Sequence, residues 1–344
     1  MDKIKQRKGK LQKKTKIIIT VGDEAGIGPE VILKALGSSK LPKNIEILIV
    51  GSKQKLISTY ELLKDKKIEN IINPEKLSIE EVEIPAINTL NKAAIAGNAS
   101  FYYLKRAIKI VQEMKNAALV TGPICKKSWG LAGHNYSGQT ELLAELCNSD
   151  KVGMLFTAKS PLTGWRFNTL LATTHIPLSQ IPKQLTPNLL KTKLDLLYYF
   201  CKKFNNKPTL KIVGLNPHAG EGGLLGNEDI NIIEKSLKGW AKENPNVNIE
   251  GPLSPDSCWI ESSKAWKDKN ENSHDGILAM YHDQGLIPMK IIAATYSVNT
   301  TLGLPIIRTS PDHGTGFDIA GEGVAQHQSM LEAIKTAYEL QLRS

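Results

Sequence analysis

Three of the chain's seven histidines follow short β-branched segments that are typical of buried strands. They are His175, His218 and His282. Ligands of open α/β sheets bind beyond the carboxyl ends of the strands, so these imidazoles are placed to act at a shared site. Three neutral imidazoles with open positions are typical of a catalytic divalent-metal site. Their wide spacing is no motif by itself, and it fits three separate strand-end histidines equally well.

Charged residues near the same segments could bind or protonate an anionic substrate. Asp256 and Asp283 are candidate extra metal ligands or proton carriers. Arg308 could hold a carboxylate or phosphate through two hydrogen bonds, and Lys290 and Lys126 could act on the same anion as point charges. Each of these residues, taken alone, also fits an ordinary solvated surface charge. Their placement near strand ends and glycine turns favours the binding interpretation.

A glycine-rich segment, residues 220–226, directly follows the second histidine segment. Glycines let backbone amides approach a phosphate or a cofactor closely, so Gly223 is a candidate cofactor-binding residue. A turn without a ligand explains the segment equally well. Neither the GxGxxG fingerprint of a Rossmann domain nor a Walker A sequence is present.

The elements that must position these residues alternate along the chain. Predicted strands cover residues 16–21, 45–50, 117–121, 168–173, 210–215 and 276–281. Predicted helices cover residues 53–63, 100–115, 139–147, 187–204, 228–242 and 328–342. This alternation predicts α/β layers around a largely parallel sheet. Residues 244–256 and 267–275 are rich in Asn, Pro, Lys and Asp, which is typical of surface loops.

The charge of the chain is unevenly distributed. Lys and Arg number 44 and Asp and Glu 34 among 344 residues, a net charge of +10. Residues 1–16 hold eight basic residues and one acid, so the other 328 residues carry only +3. We therefore predict a basic disordered tail over residues 1–15 and no nucleic-acid partner for the folded body.

Composition bounds the class of protein further. A hydrophobic fraction of 41 % excludes a disordered or fibrous chain, and the length suggests about two domains. No run approaches the roughly 20 apolar residues of a membrane span, and the N-terminus lacks the apolar core of a signal peptide. The four cysteines form no CxxC pair, which favours a reduced, cytoplasmic location without a membrane partner.

Six sequence blocks together resemble the 4-hydroxythreonine-4-phosphate dehydrogenase family of pyridoxal phosphate biosynthesis. They are GDEAGIGPE at 22–30, TGP at 121–123, GQTE at 138–141, ATTH at 172–175, NPHAGE at 216–221 and YHDQG at 281–285. The resemblance implies a three-layer α/β/α fold like that of isocitrate and isopropylmalate dehydrogenases. Two lobes, residues 16–130 plus 285–344 and residues 131–284, would enclose the active site in a cleft. It also implies a homodimer with the site at the subunit interface.

The activity implied by the resemblance is an oxidation that uses NAD or NADP and a divalent metal (zinc, magnesium or cobalt). The substrate would be 4-phosphooxy-L-threonine, and the product 2-amino-3-oxo-4-phosphooxybutanoate would decarboxylate to 3-amino-2-oxopropyl phosphate. An alternative is a related dehydrogenase that acts on another four-carbon phosphorylated hydroxy acid, such as erythronate 4-phosphate.

The resemblance also implies roles for individual residues. The metal ligands would be His175, His218 and His282. The substrate-binding residues would be Gln139, Thr140, Lys290, Asn299 and Arg308. The catalytic acids and bases would come from Asp256, Asp283 and Lys290. The cofactor-binding turn would contain His313, Gly314, Thr315 and Asp318. Many family members have His in place of Gln139, which can exchange hydrogen bonds but cannot titrate near neutral pH.

Overall fold

The computed structural model describes residues 14–271 and 273–344. Its strands are β1 Thr15–Thr20, β2 Ile45–Val50, β3 Ser78–Glu80, β4 Ala117–Thr121, β5 Gly153–Lys159, β6 Arg166–Leu171, β7 Thr209–Val213, β8 Asn248–Leu253, β9 Gly276–Ala279, β10 Val298–Leu302 and β11 Ile307–Pro311. Its helices are α1 Gly28–Gly37, α2 Lys53–Asp65, α3 Lys92–Glu113, α4 Lys126–Leu131, α5 Gln139–Leu146, α6 Ile181–Gln184, α7 Pro187–Lys202, α8 Lys235–Glu243, α9 Ile260–Lys267, α10 His282–Ala293 and α11 Gln328–Leu342. Short 3-10 segments lie at Pro74–Lys76, Leu178–Gln180, Pro217–Gly223 and Ala294–Tyr296, and a π-helical turn at Asp229–Glu234 leads into α8.

The strands of the described residues form one eleven-stranded sheet in the order β3-β2-β1-β4-β11-β10-β5-β6-β9-β7-β8. The first five strands are mutually parallel, and so are the last four. Because β10 is antiparallel to both β11 and β5, and β5 is antiparallel to β6, the two parallel halves run in opposite directions. Along the strand direction, the carboxyl ends of the two halves therefore lie at opposite ends of the sheet. Seven of the ten strand pairings in the described residues are parallel, so the prediction of a largely parallel sheet is confirmed, while the reversal between the two halves was not predicted.

Helices cover both faces of the sheet and complete three layers. Successive strand residues point to opposite faces, so Leu155 and Phe156 of β5 belong to different apolar clusters. Helices α1, α2 and α11 pack on one face together with α7 and α8. The other face is covered by α3, α4 and α5 over one half and by α9 and α10 over the other. The predicted three-layer α/β/α class is confirmed.

Most predicted elements are present because their signals are local. Helix α7 begins where Thr186 accepts a hydrogen bond from Leu189 N and Pro187 occupies the first turn, which satisfies free amides at the helix start. Its buried residues Leu190, Leu194 and Leu197 repeat at helical spacing. The predicted loop at 244–256 is wrong in part because it contains the edge strand β8, whose mostly exposed residues lack an apolar alternation.

Three predictions concern the limits of the chain and its lobes. Strand β1 begins at Thr15, the last residue of the predicted tail, and residues 1–13 of that prediction lie outside the described residues. The lobe boundaries stay a prediction, and the one after residue 284 falls inside α10. Over residues 14–271 and 273–344, none of the helices combines the length and apolar character of a membrane span.

Candidate active site

A cavity of about 380 Å³ is lined by residues of β4, β5, β10, β11, α5 and α7. Arg308 of β11 lies opposite Thr301 of β10, which lies opposite Met154 of β5, so these three residues share a face. The cavity crosses this face between α5 and the loop after β6. It is lined by Thr121, Gly122, Lys126, Gln139, Thr140, His175, Asn299, Arg308, His313 and Gly314, among others.

Arg308 is a buried cation of this cavity. Its side chain donates to the hydroxyls of Thr121 (2.7 Å from Nη2) and Thr301 (3.0 Å from Nη1) and to Gln139 Oε1 at 3.3 Å. All of these acceptors are neutral, and no ion pair among the described residues includes Arg308. Burial lowers the pKa of the guanidinium to about 10. A buried charge without a counterion is costly, so the arrangement suits an anionic ligand.

Gln139 holds the guanidinium from the start of α5. Its Oε1 accepts from Arg308, and its Nε2 donates to Gly122 O at 3.0 Å. Both ends of the amide are therefore occupied within the protein. The next residue, Thr140, lines the cavity in the first turn of α5, where the helix dipole favours negative charge.

Asn299 and Lys290 lie in different surroundings. Asn299 lines the cavity from β10, and its buried Oδ1 has no hydrogen-bond partner among the described residues. Lys290 instead extends from α10 to the end of β11, where its Nζ lies 2.8 Å from Asp312 O and 2.6 Å from Asp312 Oδ2. The substrate-binding roles of both residues stay predictions.

Two of the three candidate metal ligands are neighbours. The rings of His175 and His282 have centroids 5.4 Å apart. Burial, followed by the charges of Lys126 and His282, lowers the pKa of His175, which favours the neutral imidazole that metals bind. His282 Nδ1 lies 2.7 Å from Asp283 Oδ1, and its Nε2 has no hydrogen-bond partner among the described residues. This carboxylate–histidine pairing is the arrangement that orients metal-binding imidazoles.

The third candidate, His218, lines a different cavity of about 460 Å³ together with Asp256 and Asp283. A hydrogen bond from the Ser254 hydroxyl lowers the pKa of Asp256, and the charge of His218 has a smaller effect in the same direction. Among the described residues, no three His, Cys, Asp or Glu side chains come together as a metal-binding group. Asp283 belongs to this cavity and also contacts the histidine pair.

The loop that carries His218 has an uncommon backbone. Residues 218–222 all have positive φ, including His218 at 53° and Glu221 at 43°, in a region that non-glycine residues rarely occupy. The carboxylate of buried Asp229 supports the start of the loop by accepting from Leu215 N at 2.7 Å and from Asn216 N at 3.1 Å. Backbone strain like that of residues 218–222 is common at functional sites. Asp229, which supports this loop, was not among the residues selected from the sequence.

The predicted cofactor turn follows β11 and packs against the start of α1. Ile27 N donates to Thr315 O at 2.8 Å, and a Cβ at Gly26 would lie 2.4 Å from the same oxygen, so glycine is required there. His313 Nε2 is buried without a partner among the described residues, and burial lowers the pKa of this imidazole. Asp318 is exposed. The turn thus offers ring, backbone and carboxylate groups to a nucleotide, which fits the predicted cofactor.

Fold and site together define a class, namely a three-layer α/β protein in which a buried arginine and a histidine pair lie at one cavity. The chain belongs to the PdxA family, because the model of the pyridoxal phosphate biosynthetic protein PdxA matches residues 43–337. The predicted family is thereby confirmed.

Individual relatives agree with this assignment. The chain is 51 % identical over 329 residues to the 4-hydroxythreonine-4-phosphate dehydrogenase of Synechococcus sp. strain RCC307, covering 95 % of this chain and 99 % of that protein. It is 44 % identical to the protein of the same name from Synechocystis sp. PCC 6803, covering 94 % and 95 %. The crystal structure of the Klebsiella pneumoniae 4-hydroxythreonine-4-phosphate dehydrogenase superposes with a TM-score of 0.77 at 32 % identity, covering 95 % and 98 %.

Proposed function

We propose that this chain oxidises the C3 hydroxyl of 4-phosphooxy-L-threonine with NAD or NADP. The resulting 2-amino-3-oxo-4-phosphooxybutanoate decarboxylates to 3-amino-2-oxopropyl phosphate, a step of pyridoxal 5'-phosphate biosynthesis. The observation that carries the proposal is the buried Arg308, whose partners in the described residues are all neutral. The names of the relatives at 51 % and 44 % identity support the substrate.

The protein's own groups would bind and orient the substrate. Arg308 would hold an anionic end of the molecule, with the first turn of α5 beside it. Asn299 Oδ1 would accept a hydrogen bond from a substrate hydroxyl or ammonium group, since it has no partner in the described residues. Fixing the substrate at two points places C3 in one position relative to the cofactor turn, which is the main gain from such binding.

A divalent metal fits the histidine pair. His175 and His282 would hold it, and His218 is the predicted third ligand. When bound, zinc, magnesium or cobalt would polarise the substrate's oxygen atoms, and NAD or NADP would supply the hydride acceptor. Asp283 would keep His282 oriented through its Oδ1 contact with Nδ1. Asp283, Asp256 and Lys290 remain the candidate proton carriers.

A homodimer with the site at the subunit interface is part of the proposal. The separation of His218 from the other two histidines fits a site completed across subunits. Two isoleucines of α10 next to the His218 cavity are exposed, Ile287 at 57 % and Ile291 at 78 %. An exposed apolar face beside polar residues is typical of a protein interface. The predicted cytoplasmic location belongs to the same proposal.

The test is an assay of the purified protein with 4-phosphooxy-L-threonine and either NAD+ or NADP+. We expect reduction of the cofactor, loss of turnover after chelation and recovery with added metal. Full turnover after complete metal removal would contradict the metal's role. The His218→Ala variant should lose metal and rate together, and retention of both would reject His218 as a ligand.

The alternative substrate is tested in the same assay. Discrimination between substrates lies in kcat/KM, so the ratio for 4-phosphooxy-L-threonine over erythronate 4-phosphate measures it directly. We expect a ratio well above one. A ratio below one would replace the proposed substrate with the alternative and leave the reaction class unchanged.

A further inference from the structure

The cavity of Arg308 contains a second buried cation that the proposed function does not use. Lys193 lies on α7, is 8 % exposed and lines the same cavity as Arg308 and His175. Its Nζ donates to Val152 O at 2.8 Å, the carbonyl just before β5. No ion pair among the described residues involves Lys193.

The surroundings of Lys193 differ from those of other buried lysines. Lys34 has the carboxylate of Glu30 at 2.7 Å, and Lys211 has the carboxylate of Glu261. An ammonium group has three donors, and the single carbonyl bound by Lys193 accepts one of them. Burial lowers the pKa of Lys193 to about 8, and no acidic group within residues 14–271 and 273–344 offsets this effect. Among the described residues, no ion pair compensates for the desolvation of the Lys193 ammonium.

The strand pairings separate the carbonyl that Lys193 binds from Arg308. Arg308 of β11 pairs with Thr301 of the neighbouring strand β10, and Thr301 pairs with Met154 of β5. Val152 lies two residues before Met154. Adjacent strands are about 4.8 Å apart, so Val152 lies on the order of 10 Å from Arg308 across the sheet. Besides the exposed Lys126, the cavity therefore presents two separated buried cations, which suits a small molecule with two anionic groups.

We propose that Lys193 is a specificity-determining residue that binds a second anionic group of the substrate, apart from the one held by Arg308. This inference rests on the proposed function, whose substrate carries both a phosphate and a carboxylate. The Lys193 ammonium can donate hydrogen bonds to the oxygen atoms of either the phosphate or the carboxylate. The experiment below distinguishes these two groups.

The test compares Lys193→Met with the unmodified protein. We expect KM for 4-phosphooxy-L-threonine to rise by about 10- to 100-fold with kcat changed less than about threefold, since charge-assisted hydrogen bonds are lost from binding. Lys193→Arg should recover part of this loss. The inhibition constant of inorganic phosphate should rise in parallel if Lys193 binds the phosphate, and stay unchanged if it binds the carboxylate.

A stability measurement separates this role from a structural one. Removing a buried charge without a counterion should leave Tm unchanged or raise it, whereas a structural lysine would lower it when removed. Lys191→Met is the matched control, because Lys191 lies on the same helix in an exposed pair with Glu243, and its KM should match that of the unmodified protein.

The outcomes separate the two proposals. No turnover by the unmodified protein would overturn the proposed function. Turnover by the unmodified protein and by Lys193→Met with equal KM would overturn the role of Lys193 alone. A lowered Tm with unchanged KM would assign Lys193 to the fold.

Discussion

Lys34 and Arg308 are both buried cations, and they have opposite surroundings. The ammonium of Lys34 on α1 lies 2.7 Å from Glu30 Oε1, and it also donates to Gly323 O at 2.7 Å and Ala325 O at 3.0 Å. Among the described residues, Arg308 in the cavity has only hydroxyl and amide partners. One charge is neutralised within the chain, and the other is held in place without being neutralised.

The difference shows how the chain separates stability from binding. Lys34 and Glu30 connect α1 to the segment before α11, where Glu30 Oε1 also accepts from Ala325 N at 3.0 Å. Such a pair contributes to the fold only while both members are present. The charge of Arg308 costs desolvation free energy in the unliganded protein, and a bound anion would recover part of this cost. Removing each cation should therefore have opposite consequences.

The largest expected effect is on stability, in Lys34→Met. This change leaves the Glu30 carboxylate buried without its counterion, and we expect a loss of about 3–5 kcal/mol in the free energy of unfolding. Urea unfolding followed by circular dichroism measures it. The protein that remains folded should keep its kcat/KM, because Lys34 lies outside the cavity.

The control is Lys238→Met on α8. Lys238 pairs with Glu234 four residues earlier, as Lys34 does with Glu30, but its side chain is exposed. Exposed pairs of this kind contribute about 0.3–0.5 kcal/mol, so stability should hardly change. Equal losses in the two variants would contradict the comparison.

The next effect is on catalysis, in Arg308→Gln. The neutral side chain can keep contacts with the cavity hydroxyls but loses the charge, which should lower kcat/KM for 4-phosphooxy-L-threonine by roughly 100-fold, about 3 kcal/mol. Its stability in urea should not fall, in contrast to that of Lys34→Met. If Arg308→Gln instead unfolds readily and the folded fraction retains full activity, Arg308 is a structural cation like Lys34.

The fold was predictable where its signals are local. Helix α7 was predicted at 187–204 and is observed at Pro187–Lys202, because a cap, a proline and an apolar stripe mark it. The reversal between the two halves of the sheet was not predictable, since it depends on pairings such as Val298 with Thr157, far apart in sequence. Strand direction at such a pairing is set by tertiary packing, which periodicity does not encode.

The candidate site shows the same limit. Arg308, Asn299, Gln139 and Thr140 were selected from the sequence, and the structure places them around one cavity. Lys193 was missed, although a lysine on the apolar face of an amphipathic helix was a visible signal. Its significance depends on what lies opposite the helix, and only the folded chain shows that.

A smaller effect is expected from Asp283→Asn. His282 is an intermediate case in the comparison. Its Nδ1 has a carboxylate partner, while its Nε2 has no partner within the described part of the chain. Loss of that carboxylate should weaken binding of the proposed metal about 10- to 100-fold. Competition with a chelator for Co²⁺ measures the affinity. Unchanged affinity would show that Asp283 does not orient a metal ligand.

The smallest effect concerns Gln139, the neutral partner of Arg308. Gln139→Leu removes the acceptor for Arg308 and the donor to Gly122 O, and loss of one net hydrogen bond to a charged group should cost about 1.5 kcal/mol, roughly tenfold in kcat/KM. Gln139→His, which restores the residue common in the family, should retain most of the activity because it can still exchange a hydrogen bond with the guanidinium. A pH profile of kcat/KM distinguishes the two possible roles of this position. If the position only holds Arg308, Gln139→His adds no new ionisation to the profile. An added ionisation near the pKa of His, together with a higher rate, would show that this position can also carry a proton.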